Sequence, residues 1–192
     1  SQKNTILSFD SGRVYNIPDF QREIRWDTDN ISVLIEDIKN GPKFLGNIIL
    51  TKHNGKKYSI IDGQQRITVL TMILNCIKYL HQNQIDIITP CTLTVESFPG
   101  FNELMDEYFP EEGKSNITII KNDKLRQLQK YYQLWNYILE LEEIQSKKEA
   151  KELLRNLSES SFNIIINESD DTSKGIRYFI DVNLKGKQLD TE

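Results

Sequence analysis

Residues 60–70 constrain the fold more than any other part of the sequence. They read Ile-Ile-Asp-Gly-Gln-Gln-Arg-Ile-Thr-Val-Leu. An apolar, strand-like run stops at Asp62-Gly63, and a helical pattern starts directly after it. A strand, a glycine turn and a polar helix start direct unpaired backbone N–H groups and the positive end of the helix dipole at one small volume. The junction therefore favours an anion such as phosphate.

Two charged side chains of this junction have chemistry that suits a phosphate. Asp62 could hold a metal ion, and Arg66, one turn into the helix, could reach a phosphate oxygen. The alternative is an ordinary strand-to-helix connection with a solvated first turn, because short motifs have high false-positive rates. Several polar side chains crowded between two apolar stretches favour the phosphate site.

Composition narrows the class of protein. The chain has 192 residues, 38% of them hydrophobic, which suffices for one domain or for a domain with a substantial appendage. The net charge of -4 gives no global basic footprint, so DNA binding would need a local patch or another part of the protein. The chain has only two cysteines and two histidines, which argues against a zinc site. With no stretch long enough to cross a bilayer and no signal peptide, we expect a cytoplasmic protein without membrane contact.

Hydrophobic periodicity and turn residues predict an α+β fold. Asn54-Gly55 supplies the positive φ angles of a tight hairpin turn, and Thr28 or Asp29 is the predicted N-cap of the first helix. The near-continuous apolar run at 162–167 predicts a strand buried on both faces. The predicted extended segments are 14–18, 46–51, 57–62, 92–96 and 162–167. The predicted helices are 30–40, 63–82, 123–142, 146–157 and 175–182, with a short one near 102–108.

Two further clusters suit a nucleotide. Phe20, Arg22 and Trp26 combine aromatic rings with a guanidinium, a set that can stack on a base and pair with phosphate. Their alternative is packing in the core, with Arg22 paired to an acid. Gly46, at the start of a predicted strand, permits close approach of the backbone to a ligand. Its alternative is a simple turn.

Four segments, taken in order, resemble the GmrSD-type restriction endonuclease N-terminal domain. They are Ile-Pro-x-Phe-Gln-Arg from Ile17 with Trp26, Phe-Leu-Gly-Asn-Ile from Phe44, Ile-Asp-Gly-Gln-Gln-Arg-Ile-Thr from Ile61, and Phe-x-x-x-Asn-x-Lys-Gly-x-x-Leu from Phe179. The similarity spans nearly the whole chain, and Asp-Gly-Gln-Gln-Arg is specific in this context. The resemblance implies a ParB and sulfiredoxin-like fold, a small mixed sheet with helices plus a helical insertion. The core would comprise 1–84 and the return strand and helix of 159–192, with a mainly helical insertion at 85–158.

The resemblance also implies a site that holds a nucleoside triphosphate with Mg²⁺ or another divalent ion. Its catalytic residues would be Asp62, Gln64, Gln65 and Arg66, with Asp62 as the metal ligand or water-positioning carboxylate. Its nucleotide-binding residues would be Gln21, Arg22, Gly46, Asn47, Gly63, Thr68, Asn183, Lys185 and Gly186. Lys185 departs from the family, in which arginine is usual; lysine keeps the charge but not the bidentate fork.

Several functions fit these residues. The domain would hydrolyse a nucleoside triphosphate to gate restriction of phage or modified DNA, or it would recognise a nucleotide or a DNA mark without turnover. A direct ParB-like DNA nuclease and a structural domain with a decayed site are further options, and no Walker P-loop forces turnover. His53 and His81 lack the neighbours of a His-Asn-His nuclease, so we expect DNA contact through another domain or subunit. The uncapped end at 187–192 predicts truncation before a further domain, and a homo-oligomer stays open.

Overall fold

The computed structural model describes residues 2–5, 14–18, 24–55, 57–81, 84–85, 92–95 and 123–168. In order, the elements of this part are β1 (Gln2–Thr5), β2 (Val14–Ile17), α1 (Thr28–Lys39), β3 (Phe44–Lys52), β4 (Lys57–Asp62), α2 (Gln64–His81), β5 (Thr92–Val95), α3 (Asp123–Glu140), α4 (Glu142–Gln145), α5 (Lys147–Glu159) and β6 (Ser161–Asn167). The predicted α+β class is confirmed. The ParB and sulfiredoxin relationship stays a prediction, and the helices predicted near 102–108 and at 175–182 lie outside the described residues.

The strands form one mixed sheet of six, in the order β1-β6-β3-β4-β2-β5. β3 pairs with β4 antiparallel and with β6 parallel, while β2 runs parallel to both β4 and β5. At one end of the strands, the carboxyl ends of β2, β4 and β5 therefore lie together with the amino ends of β3 and β6. Asp62 pairs with Ile49, so the first residues of β3 extend past the end of β4. This overhang is the surface on which the chain turns from β4 into α2.

The hairpin between β3 and β4 has the positive φ angle predicted at Gly55. The N–H of His53 donates to the carbonyl of Lys57 over 2.9 Å, and Gly55 has a φ of +72°, a conformation that glycine adopts without steric cost. The pairing shifts its register between Ile49 and Leu50. A bulge of this kind bends the strand, and here it lies next to Asp62.

The helices bury their apolar stripes against one face of the sheet. Ile31, Leu34, Ile35 and Ile38 of α1 are buried, as three-and-four spacing requires. The same core contains residues of β2, β3, β4 and β6 and of α2 to α5, among them Tyr15, Ile48, Ile60, Phe162, Ile73, Ile138, Ile144 and Leu153. The helices of 123–159 thus share their core with the sheet.

The structure corrects one predicted helix cap and confirms another. The N-cap of α1 is Asp27, not Thr28 or Asp29. Its carboxylate accepts from the N–H of Asn30 over 3.1 Å, and the Asn30 side chain accepts from the N–H of Asp27 over 2.9 Å. This reciprocal capping box satisfies two backbone donors at once, which a cap one residue later would not do. At α5 the Ser146 hydroxyl accepts from the N–H of Glu149 over 3.3 Å, as expected for a serine directly before a helix predicted to begin there.

The burial predicted for β6 on both faces is wrong. Phe162 and Ile164 are buried in the core, whereas Ile166 is 42% exposed. The two buried side chains alternate with half-buried ones, because only one face of this strand packs under the helices. Cys76 is fully buried, and burial raises the pKa of its thiol well above the usual value. No helix in the described part of the chain combines the length and apolar character needed to cross a membrane.

Candidate phosphate site

The predicted junction of strand, glycine and helix is confirmed at Asp62-Gly63-Gln64. β4 ends at Asp62 and α2 begins at Gln64. The hydrogen bond from the Ile67 N–H to the Gly63 carbonyl, over 3.1 Å, belongs to the first turn of the helix. The N–H groups of the residues before Ile67 precede that ladder and have no acceptor within the helix. The first turn contains no acidic residue, so α2 itself does not offset the positive end of its dipole.

Position 63 requires a glycine because of its backbone angle and its close neighbours. Its φ is +99°, in the left-handed region that disfavours a side chain. A Cβ at this position would collide with Cδ1 of Ile48 and lie 3.5 Å from the carbonyl oxygen of Asn47. The glycine therefore lets the turn pack directly on the overhang of β3.

Gly46 and Arg66 meet at the same overhang. A Cβ on Gly46 would lie 2.8 Å from Nη1 and 3.2 Å from Cζ of Arg66, and Gly46 has a φ of +100°. The pairing of β3 with β6 is irregular between Phe44 and Asn47, which places Gly46 in the bulge. The close approach predicted at Gly46 is thus an approach by the Arg66 guanidinium, so the two motifs form one site.

The Arg66 guanidinium is half-buried. In the described part of the chain it makes no hydrogen bond or ion pair; the ion pairs there are Lys39 with Glu143 and Lys43 with Asp37. Burial lowers the pKa of Arg66 below its usual value, and the charge of Asp62 partly opposes this shift. A guanidinium has five N–H donors, and those of Arg66 stay available to an anion.

Asp62 has a raised pKa because it is partly buried. Its carboxylate accepts a hydrogen bond from the N–H of Gly63, and both this bond and the charge of Arg66 lower the pKa by less than burial raises it. Opposite charges near each other in a low-dielectric site interact strongly. Asp62 and Arg66 therefore form an electrostatic pair without a direct salt bridge.

Two predicted site residues use their polar groups within the protein. The side-chain oxygen of Gln65 accepts from the backbone N–H of Arg25 over 2.7 Å and of Trp26 over 3.2 Å. The hydroxyl of Thr68 donates to the carbonyl of Gln64 over 2.7 Å, and Thr68 is buried. Their roles toward a ligand stay predictions.

Asn47, a predicted nucleotide-binding residue, is exposed and lies against β6. Its side-chain oxygen accepts from Nδ2 of Asn163 over 3.0 Å. Sequence reasoning missed Asn163 as well as Arg25, because each contacts the site across a long stretch of chain and neither belongs to a motif.

Five predicted nucleotide-binding residues lie outside the described residues. They are Gln21, Arg22, Asn183, Lys185 and Gly186. Among the described residues no group of three or more His, Cys, Asp or Glu side chains could hold a metal. Mg²⁺ commonly uses one or two carboxylates together with phosphate and water oxygens, so Asp62 alone fits that requirement.

The raised pKa of Asp62 predicts a stability that depends on pH. The folded chain releases this proton at higher pH than the unfolded chain, whose value is near 3.8, so ionised Asp62 opposes folding. The penalty grows as pH rises from that value through the folded pKa, and it is complete above it. We expect Asp62→Asn to raise the melting temperature at pH 7 and to leave it unchanged below pH 3.8.

Thermal unfolding at several pH values checks this expectation. Asp37→Asn is the matched control, because Asp37 is exposed and its ion pair with Lys43 spans 3.8 Å at the surface, where such pairs contribute little. A melting temperature of the Asp62→Asn variant below that of the wild type at pH 7 would contradict the burial penalty.

Comparison with known proteins identifies the family. The family model described as the GmrSD restriction endonuclease N-terminal domain matches residues 4–192. A comparison with curated proteins finds no match. The match with the family model indicates a component of a restriction system directed against phage, and it makes DNA the expected target of that system. The chain belongs to the GmrSD restriction endonuclease N-terminal domain family.

Proposed function

We propose that this chain binds a nucleoside triphosphate at the β4 to α2 junction and hydrolyses it with Mg²⁺. The observation that carries the proposal is the half-buried Arg66 guanidinium on Gly46, which makes no hydrogen bond or ion pair in the described part of the chain. Burial of a cation is costly, and the charge of Asp62 offsets only part of this cost, because the pKa of Arg66 is still lowered. A phosphate at this position would offset that cost and would accept two parallel hydrogen bonds from the guanidinium.

The neighbouring groups suit the phosphates of a nucleotide. The N–H groups that open α2 point along the helix axis, and no acid of the first turn competes for them. Gly63 brings the backbone of the turn close to the same volume, since any side chain there would collide with Ile48. Arg66 and the helix start together would bind phosphate oxygens.

Asp62 gives the site its one described carboxylate beside the helix start. Asp62 would hold Mg²⁺ through a carboxylate oxygen, and the ion would neutralise charge that develops on the phosphate oxygens. In that state the nearby cation favours the ionised form of Asp62, which opposes the effect of burial. Arg66 would keep the phosphate oriented throughout.

The role in the restriction system follows from this activity. With a net charge of -4, the chain has no overall attraction for DNA. Nucleotide binding and hydrolysis here would gate DNA cleavage performed by another domain or subunit. Gln64 and Gln65 would then act as polar groups around the phosphates or as supports for them.

A phosphate-release assay tests the function directly. The purified chain is incubated with Mg²⁺ and ATP, GTP or CTP, beside Asp62→Ala and Arg66→Ala variants. Loss of a charged hydrogen-bonding partner costs about 1.5 to 3 kcal/mol, so we expect Arg66→Ala to weaken binding about tenfold to hundredfold. Asp62→Ala should abolish release while retaining measurable nucleotide affinity.

Controls and contrary outcomes are defined by the same site. Arg155→Ala changes an exposed arginine on α5 and should leave both readouts unchanged. Hydrolysis that survives both site variants would refute the assignment of residues. The absence of binding to all three nucleotides would refute the function itself.

Recognition without turnover is the second candidate. It is favoured by the bonds of the Gln65 oxygen to the backbone N–H groups of Arg25 and Trp26, which already occupy one of the predicted catalytic side chains. In that case calorimetry would detect nucleotide binding by the wild type, and Arg66→Ala would weaken this binding. Phosphate release by the wild type would stay at the background rate.

A further inference from the structure

We propose that Arg25 is a second phosphate-binding residue of this site and that Gln65 is the positioning residue that holds it there. The inference rests on the proposed function. It adds a residue outside the recognised motif, and it gives Gln65 a role that differs from direct contact with the reacting atoms.

The contact that carries the proposal is a clamp between α2 and the segment before α1. One side-chain oxygen of Gln65 accepts from two consecutive N–H groups, those of Arg25 over 2.7 Å and Trp26 over 3.2 Å. Both lone pairs of the oxygen are then used. The backbone of Arg25 is thereby fixed beside the first turn of α2, because Gln65 lies in that turn and directly precedes Arg66.

The residues on either side of Arg25 are anchored independently. Ile24 is buried, Trp26 packs against the core, and Asp27 caps α1. Arg25 itself is exposed and makes no hydrogen bond or ion pair through its side chain within the described residues. A well-fixed backbone thus carries a guanidinium that has no partner within the described residues.

Electrostatics argue that this guanidinium serves a ligand. The backbone N–H of Arg25 is bonded to Gln65 in the first turn of α2, so the side chain is attached near the positive end of that helix dipole, which disfavours a cation. No acid of the first turn of α2 compensates for this dipole. A cation held near a helix N-terminus is electrostatically unfavourable when no ligand is bound. It becomes favourable when an anion binds there.

Two guanidiniums at one helix start suit a ligand with charge on several phosphates. Arg66 lies inside the site against Gly46, whereas Arg25 is at its solvent side. A single phosphate would satisfy the inner arginine, and a further phosphate would reach the outer one. Arg25 should therefore distinguish triphosphates from monophosphates more than Arg66 does.

A double-mutant cycle between Arg25 and Gln65 tests the proposal. Dissociation constants are measured by calorimetry for whichever of ATP, GTP and CTP binds most tightly, and for its di- and monophosphate. We expect Arg25→Ala to weaken triphosphate binding about fivefold and to leave monophosphate binding unchanged. Gln65→Met keeps the volume but removes the acceptor, so it should reproduce the loss.

The readout that distinguishes positioning from a structural role is the combined variant. If Gln65 acts through Arg25, Gln65→Met adds no further loss of affinity in the Arg25→Ala background. Gln65→Glu retains an acceptor oxygen and should restore part of the affinity lost in Gln65→Met. Arg155→Ala serves as the charge control, and circular dichroism checks that each variant is folded.

The possible outcomes separate this inference from the proposed function. Loss of binding on Arg66→Ala, with wild-type affinities for Arg25→Ala and Gln65→Met, would overturn the inference and leave the function intact. Additive losses in the cycle would overturn the positioning role of Gln65. A wild-type chain that binds no nucleotide would overturn both proposals.

Discussion

Replacing Gly63 with alanine is expected to destabilise the fold by about 2 to 5 kcal/mol. Two costs combine at this position. The φ of +99° forces the new side chain into the left-handed region, and the added Cβ collides with Cδ1 of Ile48, which is fully buried. Ile48 cannot move away without disturbing the core under β3, so the turn itself must shift. Urea unfolding measures the loss.

Matched variants separate the two costs of Gly63→Ala. Gly55→Ala has the backbone cost alone, because Gly55 has a φ of +72° and a Cβ there would meet nothing within 4 Å. Ile48→Val removes the methyl group that collides with the new Cβ, at a cost of its own of about 1 kcal/mol. We expect the double variant Ile48→Val and Gly63→Ala to be more stable than the sum of the single losses predicts. If Gly63→Ala costs no more than Gly55→Ala, the packing argument is wrong.

Replacing Gly46 with alanine is expected to impair the site far more than the fold. The new Cβ would lie 2.8 Å from Nη1 and 3.2 Å from Cζ of Arg66. The end of an arginine side chain can move, so the steric cost is small and the loss of stability should match that of Gly55→Ala. The guanidinium must leave its position, however. Nucleotide affinity should therefore fall by about tenfold to hundredfold, as for Arg66→Ala.

Calorimetry on the combined variant decides whether Gly46 acts through Arg66. In an Arg66→Ala background the guanidinium is absent, so Gly46→Ala should cause no further loss of affinity. An equal loss in both backgrounds would instead mean that the glycine backbone contacts the ligand itself, as the sequence prediction had it. Gly41→Ala is a second backbone control, since Gly41 has a φ of +130° and open space around its Cα.

The local elements were predictable because their causes are local. Asn54-Gly55 specifies the hairpin turn, and the apolar spacing after Gly63 specifies α2. The cap of α1 was misassigned to Thr28 or Asp29, although the reciprocal bonds of Asp27 and Asn30 also arise from neighbouring residues. Asp27, Thr28 and Asp29 are adjacent residues that can each cap a helix, and a shift of one residue changes which pair of hydrogen bonds forms.

The burial of β6 could not be predicted from its composition. A run of isoleucines is equally compatible with a strand covered on both faces and with one that alternates. Phe162 and Ile164 lie under the helices, and Ile166 lies at the exposed end of the same face. The extent of the helical layer decides this, and no residue of the strand encodes it.

The meeting of a strand, a glycine and a polar helix start at Asp62-Gly63 follows from the amino-acid sequence, because periodicity and turn chemistry act over a few residues. The residues that this junction faces depend on tertiary packing. The pairing of β3 with β4 places Gly46 under the Arg66 guanidinium. The packing of the segment before α1 brings the N–H of Arg25 into hydrogen-bond distance of the Gln65 side-chain oxygen. Such contacts depend on long-range packing of the whole core, which no local pattern of side chains specifies.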